Sequence, residues 1–333
     1  MNIKRWIALV IAIGLFFVSI GFQFVGSLFT ADFEEAFDFS QFDQEFTETV
    51  VEDGSLTKRI AVLHLEGVIQ DTSTTSLFSE GLYNHDQFLD MLEYAGEDQS
   101  VAGIIIDVNT PGGGVVESAE IHDKILEIKE TYNKPIYVSM GNTAASGGYY
   151  ISAPTDKIVA HKATLTGSIG VIMESINFAG LAEDLGVDFN TIKSGEFKDI
   201  MSSTREMSEE ERAILQAMID DMYSDFVQVI VDGRDMSEER VRELADGRVY
   251  TGSQALEVNL VDAIGSLEDT ITMMKEEHDL IDAQVIEYEQ GFPFGSVFGM
   301  KLASMFRSNT DLVGIKELLQ QSNAPRAMYL YSR

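Results

Sequence analysis

Residues 101–148 read VAGIIIDVNTPGGGVVESAEIHDKILEIKETYNKPIYVSMGNTAASGG. The first nine, VAGIIIDVN, are apolar through their centre without alternation, as expected of a strand buried on both faces. A proline and three glycines, Gly112–Gly114, then turn the chain. VVESAEIHDKILEIKETY sets Val116, Ile121, Ile125 and Ile128 on neighbouring faces of a helix, and KPIYVSM follows as a second strand. Strand, glycine turn, helix and strand in that order predict an α/β fold with a mostly parallel sheet flanked by helices. The second strand runs into GNTAASGG, where Ser146 stands alone among alanines and glycines.

The same texture continues on both sides. RIAVLHLEG before this stretch, and KIVAH, SIGVIME and VDFNTIK after it, predict further strands, with YYISA and NFAGLAEDLG as short helices. Residues 208–246 read as two charged amphipathic helices, and 252–277 as more helix around the turn VDAIGS. Past residue 290 the chain is rich in Gly, Ser and Met and weakly periodic. The expected organisation is one folded domain over residues 58–290 and a C-terminal tail over 291–333. With 45% hydrophobic residues in 333, the chain can bury a core of that size.

From Trp6 to Phe29 no charged residue occurs. A bilayer core of ~30 Å needs roughly 20 helical residues, so this run predicts one transmembrane anchor over residues 6–29. Lys4 and Arg5 precede it, and no Lys or Arg follows before Lys58. That asymmetry predicts a cytoplasmic N-terminus at residues 1–5 and a folded domain on the outer side of the cell membrane. A cleaved secretory signal has a shorter apolar region, about 7–15 residues, and small residues at its cut. GFQFVGSLFTADF offers no clear A-x-A, so the anchor is the better reading. Residues 30–57 mix acids with spaced phenylalanines and predict an acidic linker.

A formal charge of −32 argues against a nucleic-acid partner, whose recognition needs clustered Lys and Arg. The absence of cysteine excludes disulfides, thiolate metal sites, a cysteine nucleophile and a lipid anchor on cysteine. There is no H-E-x-x-H, and PGGGVVES lacks the lysine of a phosphate-binding loop. No metal or cofactor is expected.

A serine hydroxyl becomes a useful nucleophile when a base takes its proton. The usual base is histidine, but His64, His85, His122, His161 and His278 stand in ordinary settings, and AASGG lacks the first glycine of a G-x-S-x-G elbow. A lysine serves instead when desolvation brings its pKa down from ~10.4 toward neutrality. NTIKSGEFKDIMSST offers Lys198, with Lys193 as its competitor. The turn at Gly112–Gly114 either reverses the chain or leaves backbone N–H groups free to converge on an oxyanion. In TLTGSIGV the Ser168 hydroxyl either satisfies a turn or holds a neutral amine. The small residues around Ser146 either pack a tight turn or let another molecule's backbone approach.

As a set, DVNTPGGG, MGNTAASGGYYISAP, TLTGSIGV, IKSGEFKD and RVYTGSQALEVNLVDAIG stand in the order and spacing of the signal peptide peptidase A family. Over roughly residues 58–275 the chain resembles the short, single-unit bacterial form of that family. The resemblance implies a ClpP/crotonase-like fold and a membrane-anchored serine protease without a cofactor. It implies Ser146 as nucleophile, Lys198 as general base, Ser168 as the hydroxyl that orients the lysine, and Gly113 as an oxyanion donor beside the Ser146 N–H. It further implies apolar peptide substrates such as signal peptides left in the bilayer, and a homo-oligomeric ring whose sites combine Ser146 and Lys198 of neighbouring protomers. A substrate bound as an added strand would lie flat against the small residues around Ser146. The C-terminal NAPRAMYLYSR is suited to lie in the same cleft as a substrate mimic. Two rival readings, a crotonase-type acyl-CoA enzyme and a catalytically silent membrane scaffold, fit less well with the apolar span and the Ser–Lys pair.

Overall fold

Ile104, Ile105 and Ile106 have no exposed surface at all, as the unalternating run around them requires. The computed structural model describes residues 46–71, 83–290 and 327–331, which belong to one unit of the chain. In chain order the elements are β1 (Phe46–Glu52), β2 (Ser55–Glu66), α1 (His85–Glu97), β3 (Val101–Thr110), β4 (Gly112–Gly114) and α2 (Val115–Tyr132). Then come β5 (Ile136–Ala145), α3 (Gly147–Ser152), β6 (Lys157–Ala160), β7 (Leu165–Gly167), α4 (Ala179–Asp184), α5 (Glu209–Arg234) and α6 (Glu238–Leu244). The last are β8 (Val249–Thr251), α7 (Gly252–Glu257), β9 (Ala263–Ile264), α8 (Leu267–Glu277), β10 (Ala283–Gln290) and β11 (Met328–Leu330).

The main sheet runs β1-β10-β2-β3-β5-β6-β9, and β7 joins the end of β5 and carries β8. Every pairing from β10 through β9 is parallel; β1·β10 and β7·β8 are antiparallel. This is the expected mostly parallel α/β sheet with helices, and it fits a ClpP-like fold. Alternate residues of the central strands serve two cores, because successive side chains leave a strand on opposite faces. Leu63, Ile104, Ile106 and Val138 meet helices α1, α2, α3 and α5 through Phe88, Ile121, Tyr149 and Phe226. Ile60, Val62, Ile105 and Val285 meet Met274 of α8. Each such side chain contributes about 1.5–3 kcal/mol on full burial. That makes the central strands a rigid base for the loops at their C-terminal ends.

Several expectations need correction. SIGVIME (168–174) forms only the bridge Ile172↔Met328, and VDFNTIK (187–193) forms no strand. Ile169 and Val171 pack into the core, whereas Ile176, Leu181, Leu185 and Ile192 are exposed, Ile192 completely. Residues 46–52, expected in the linker, are paired to β10 as β1. Helix α1, capped by Asn84 through the Gln87 N–H, and strand β10 add to the predicted order. The helix expected over 252–277 on both sides of the turn VDAIGS is present as α7 and α8, and the turn adds the short strand β9. The anchor predicted over 6–29 lies outside the described residues. Among the described residues no helix is long and apolar enough to cross a membrane.

Candidate active site

Strand β5 delivers Ser146 to the point where the chain turns into α3. Its backbone angles, φ 54 and ψ −115, lie outside the regions an L-residue ordinarily occupies. Such a conformation costs ~1–3 kcal/mol and persists only where the surroundings enforce it. Here they do. The Ser146 N–H donates to the Gly167 carbonyl at 2.7 Å, and the Ser146 carbonyl accepts from the N–H groups of Tyr149 and Tyr150, both at 2.9 Å. The hydroxyl is the exception. Ser146 is 1% exposed, yet its Oγ has no hydrogen-bond partner among the described residues. A buried polar atom left unpaired is costly, so it calls for a partner from outside the fold.

The glycines around it divide by what they touch. A Cβ on Gly147 would fall 2.6 Å from Ser118 Oγ, and one on Gly148 would fall 2.7 Å from Thr110 Cγ2. These two are small because α2 and β3 press on them. Gly112 is different. Its φ is +100, and a Cβ would fall 2.1 Å from the Tyr329 carbonyl oxygen and 2.7 Å from the Gly147 nitrogen. The Tyr329 carbonyl therefore lies next to the Gly147 amide, beside the elbow. Tyr329 also stands opposite Gly113 in the antiparallel pairing of β11 with β4. Gly113 is held in turn against Ile69, whose carbonyl would be 1.8 Å from a Cβ there.

Residues 327–331 thus fill the cleft as an added strand. On one edge they pair with β4, and Tyr331 N–H donates to the Pro111 carbonyl at 2.8 Å. On the other, Met328 and Ile172 exchange hydrogen bonds of 3.0 and 3.1 Å. The Tyr329 ring is buried, stacked on Tyr150 at 4.9 Å and tilted against Phe226 at 4.6 Å. Its hydroxyl donates to the Met222 carbonyl at 3.1 Å. Burial pushes the phenol of Tyr329 upward and that of Tyr150 to about 12, so both stay protonated. The tail thus lies beside the Ser146 elbow, paired with β4.

Ser168 follows β7 in a left-handed conformation, φ 50, and its N–H donates to the Arg248 carbonyl at 2.8 Å. It lines a cavity of about 500 Å³ together with Val171, Ile219, Asp220, Tyr223 and the tail residues Leu330 and Tyr331. Lys198 stands in a series of turns after α4, where it is exposed. Its amine makes no hydrogen bond or ion pair among the described residues. Its competitor Lys193 is committed, donating to Asp199 Oδ1 and to the Glu196 carbonyl, both at 2.7 Å. The chain brings Ser146, Gly113 and Gly147 together, and Lys198 makes no hydrogen bond to them.

Comparison with known proteins bears on what this arrangement is. A protein of Enterococcus faecium named "Putative signal peptide peptidase SppA" is 44% identical over 99% of this chain and 99% of its own. The profile of peptidase family S49 matches residues 128–281. The chain belongs to peptidase family S49. "Protease 4" of Haemophilus influenzae is 33% identical over 71% of this chain and 38% of its own length. "Serine protease SPPA, chloroplastic" of Arabidopsis thaliana is 32% identical over 59% and 29%. This S49 member is thus a protein of the serine protease class. The S49 match spans Ser146, Ser168 and Lys198, and Gly113 lies ahead of it.

The histidines of this S49 chain are engaged elsewhere. His64 meets Asp107 at 3.1 Å, His85 lies between Tyr83 and Glu120 at 2.7 Å each, and His278 meets Tyr137 at 3.1 Å. Among the described residues no cluster of His, Asp and Glu could hold a metal ion. Sequence reasoning expected a free Ser146 N–H and missed that the Gly167 carbonyl accepts from it. It also missed the aromatic pocket of Tyr150 and Phe226. The second tyrosine of SGGYY was the available signal, since a large ring beside an otherwise stripped turn must go somewhere.

Proposed function

We propose that this protein is a membrane-anchored serine endopeptidase that hydrolyses apolar peptides, including signal peptides left in the bilayer. Ser146 is its nucleophile, and Lys198 of a neighbouring subunit is its general base. The observation that carries this reading is the buried, unpartnered Ser146 Oγ on a strained elbow, with the Tyr329 carbonyl of an added strand beside Gly147 and opposite Gly113. A neutral Lys198 amine takes the Ser146 proton as Oγ attacks the peptide carbonyl. The N–H groups of Gly113 and Gly147 hold the oxyanion, each such donor being worth roughly 10²–10³ in rate. The ammonium then protonates the leaving amine, water attacks the acyl-enzyme with the same amine as base, and Ser146 regains its proton. General base action adds ~10²–10⁴.

Three features support a site shared between protomers of a homo-oligomeric ring. Lys198 is exposed, the Ser146 hydroxyl lacks a partner, and the segment between them exposes a row of apolar side chains from Ile176 to Ile192. The cavity beside Ser168 is the entry for the incoming amine, where the Ser168 hydroxyl orients it. The uncharged run 6–29 and the Lys4–Arg5 pair support a single-pass anchor with the catalytic domain outside the cytoplasm. The pocket that holds Tyr329 supports a preference for a large aromatic or apolar side chain before the scissile bond.

The test uses the full chain in detergent and a synthetic apolar signal peptide. Ser146→Ala and Lys198→Met each reduce cleavage to background with assembly unchanged, and mixing the two variants restores activity. Turnover by Lys198→Met alone removes the dyad, and failure of the mixture to recover places both groups in one chain.

A further inference from the structure

Lys198 is followed directly by Asp199, a carboxylate that, left to itself, would favour the ammonium form of a neighbouring amine. The fold disposes of that charge. Arg205 donates from Nε to Asp199 Oδ2 at 2.9 Å, and from Nη2 to Asp199 Oδ1 at 2.7 Å and to the Asp199 carbonyl at 3.0 Å. The other side of the same guanidinium grips Glu211 in the first turn of α5, with Nη1 at 2.8 Å from Oε2 and Nη2 on Oε1. Nη1 also reaches the Glu206 carbonyl at 3.0 Å. Glu211 is fixed in turn by the capping box with Ser208, accepting the Ser208 N–H at 2.9 Å, and it is 2% exposed.

Every nitrogen of Arg205 is therefore spent on joining the turn that carries Lys198 to the N-terminus of a 26-residue helix. Arginine offers a rigid fork of five donors, and a lysine could not bridge two carboxylates in this way. Lone surface ion pairs contribute little, but a bidentate network around a buried carboxylate is the exception. The remaining charged groups near the turn are Lys193, which shares Asp199, Glu196 and Glu206 within it, Arg212 on α5, and Glu174 across the groove lined by Met201.

We propose that Arg205 is the positioning residue of the general base, anchoring the turn that presents Lys198 and engaging the carboxylate of the next residue, Asp199. This rests on the reading of Lys198 as base. The latch remains ionised wherever such an enzyme can be assayed. The Arg205 guanidinium holds Asp199 well below the usual carboxylate range, and it lowers Glu211 from 4.5 to about 2. For depressed carboxylates the contribution is complete above the ordinary value of about 4 and is lost only on further acidification. A rising rate between pH 6 and 10 thus reports the base and not the latch.

The experiment measures kcat and KM for an apolar peptide ester from pH 6 to 10 with the full-length wild type, Arg205→Gln, Arg205→Lys and Asp199→Asn. Assembly is followed by size. Arg205→Gln should lower kcat on the order of 100-fold, the scale of a misplaced catalytic group, with KM little changed. Its rising limb should move to higher pH, because Lys193 alone then pairs the Asp199 carboxylate. Asp199→Asn should move the limb the opposite way, and Arg205→Lys should return the limb without restoring kcat. A uniform loss in Arg205→Gln at every pH, with an unmoved limb, overturns the proposal and leaves Arg205 a stability residue. Lys198→Met is run beside them. If it turns over normally, the base assignment itself fails and the role of Arg205 falls with it; if it is inactive, the limb shifts judge Arg205 alone.

Discussion

The two halves of the candidate site are built in opposite ways. The elbow at Ser146 stands on β5, between strands whose isoleucines are fully buried, with its own amide and carbonyl both bonded within the fold. The segment from Ile172 to Lys198 has one short helix, α4, no strand, and a row of exposed apolar side chains. One region is complete in a single chain and stores strain because its surroundings are stiff. The other has the composition of an interior without an interior to occupy. The contrast teaches that the surroundings of Ser146 are products of the fold, whereas the proposed base would have to be supplied by assembly.

The strongest way to break that contrast is to charge the unfinished region. Ile176→Asp combined with Ile192→Asp should abolish oligomerisation and activity together, while the separated chain keeps its fold and a cooperative thermal transition, because both side chains are exposed within it and no core contact is lost. Sedimentation and calorimetry check this; an active, fully assembled double variant would show that the apolar row covers nothing. Next in size is Gly112→Ala on the finished side. Its Cβ would stand where the Tyr329 carbonyl now lies, at a φ that alanine avoids, and kcat/KM should fall roughly 10²–10³-fold with the oligomer intact. A modest effect sharpens the comparison rather than ending it. Tyr329→Ala removes the ring from its pocket against Tyr150 and Phe226, weakening tail docking by about 2 kcal/mol. Cleavage of an added peptide should then speed up, and an unchanged rate would mean that the tail does not compete.

The sequence was most legible where burial is internal. The triple isoleucine of β3, the helix spacing of α2 and the stripped flanks of Ser146 each announced an element or a turn that the structure contains. Legibility failed where the partner of a pattern is unspecified. SIGVIME and VDFNTIK carry strand-like apolar residues, but such a pattern states only that a side chain seeks cover, not which molecule supplies it. The resemblance implied a free Ser146 N–H, and only the carbonyl of Gly167 reveals that this amide is taken. Arg205 had no signature at all; its role depends on how residues 199–211 turn. Helix α1 was there to be read, from Asn84 as cap and from Phe88, Met91, Leu92 and Ala95 at helical spacing.

The slot that Met328–Leu330 fill has a backbone edge on each side, β4 on one and Ile172 on the other. A guest can enter only with both of its own edges free, which means fully uncoiled over at least three residues. A peptide that lies helical in lipid must first surrender its internal ladder. Under the proposed activity, the unwinding of the guest is a step that precedes any cut.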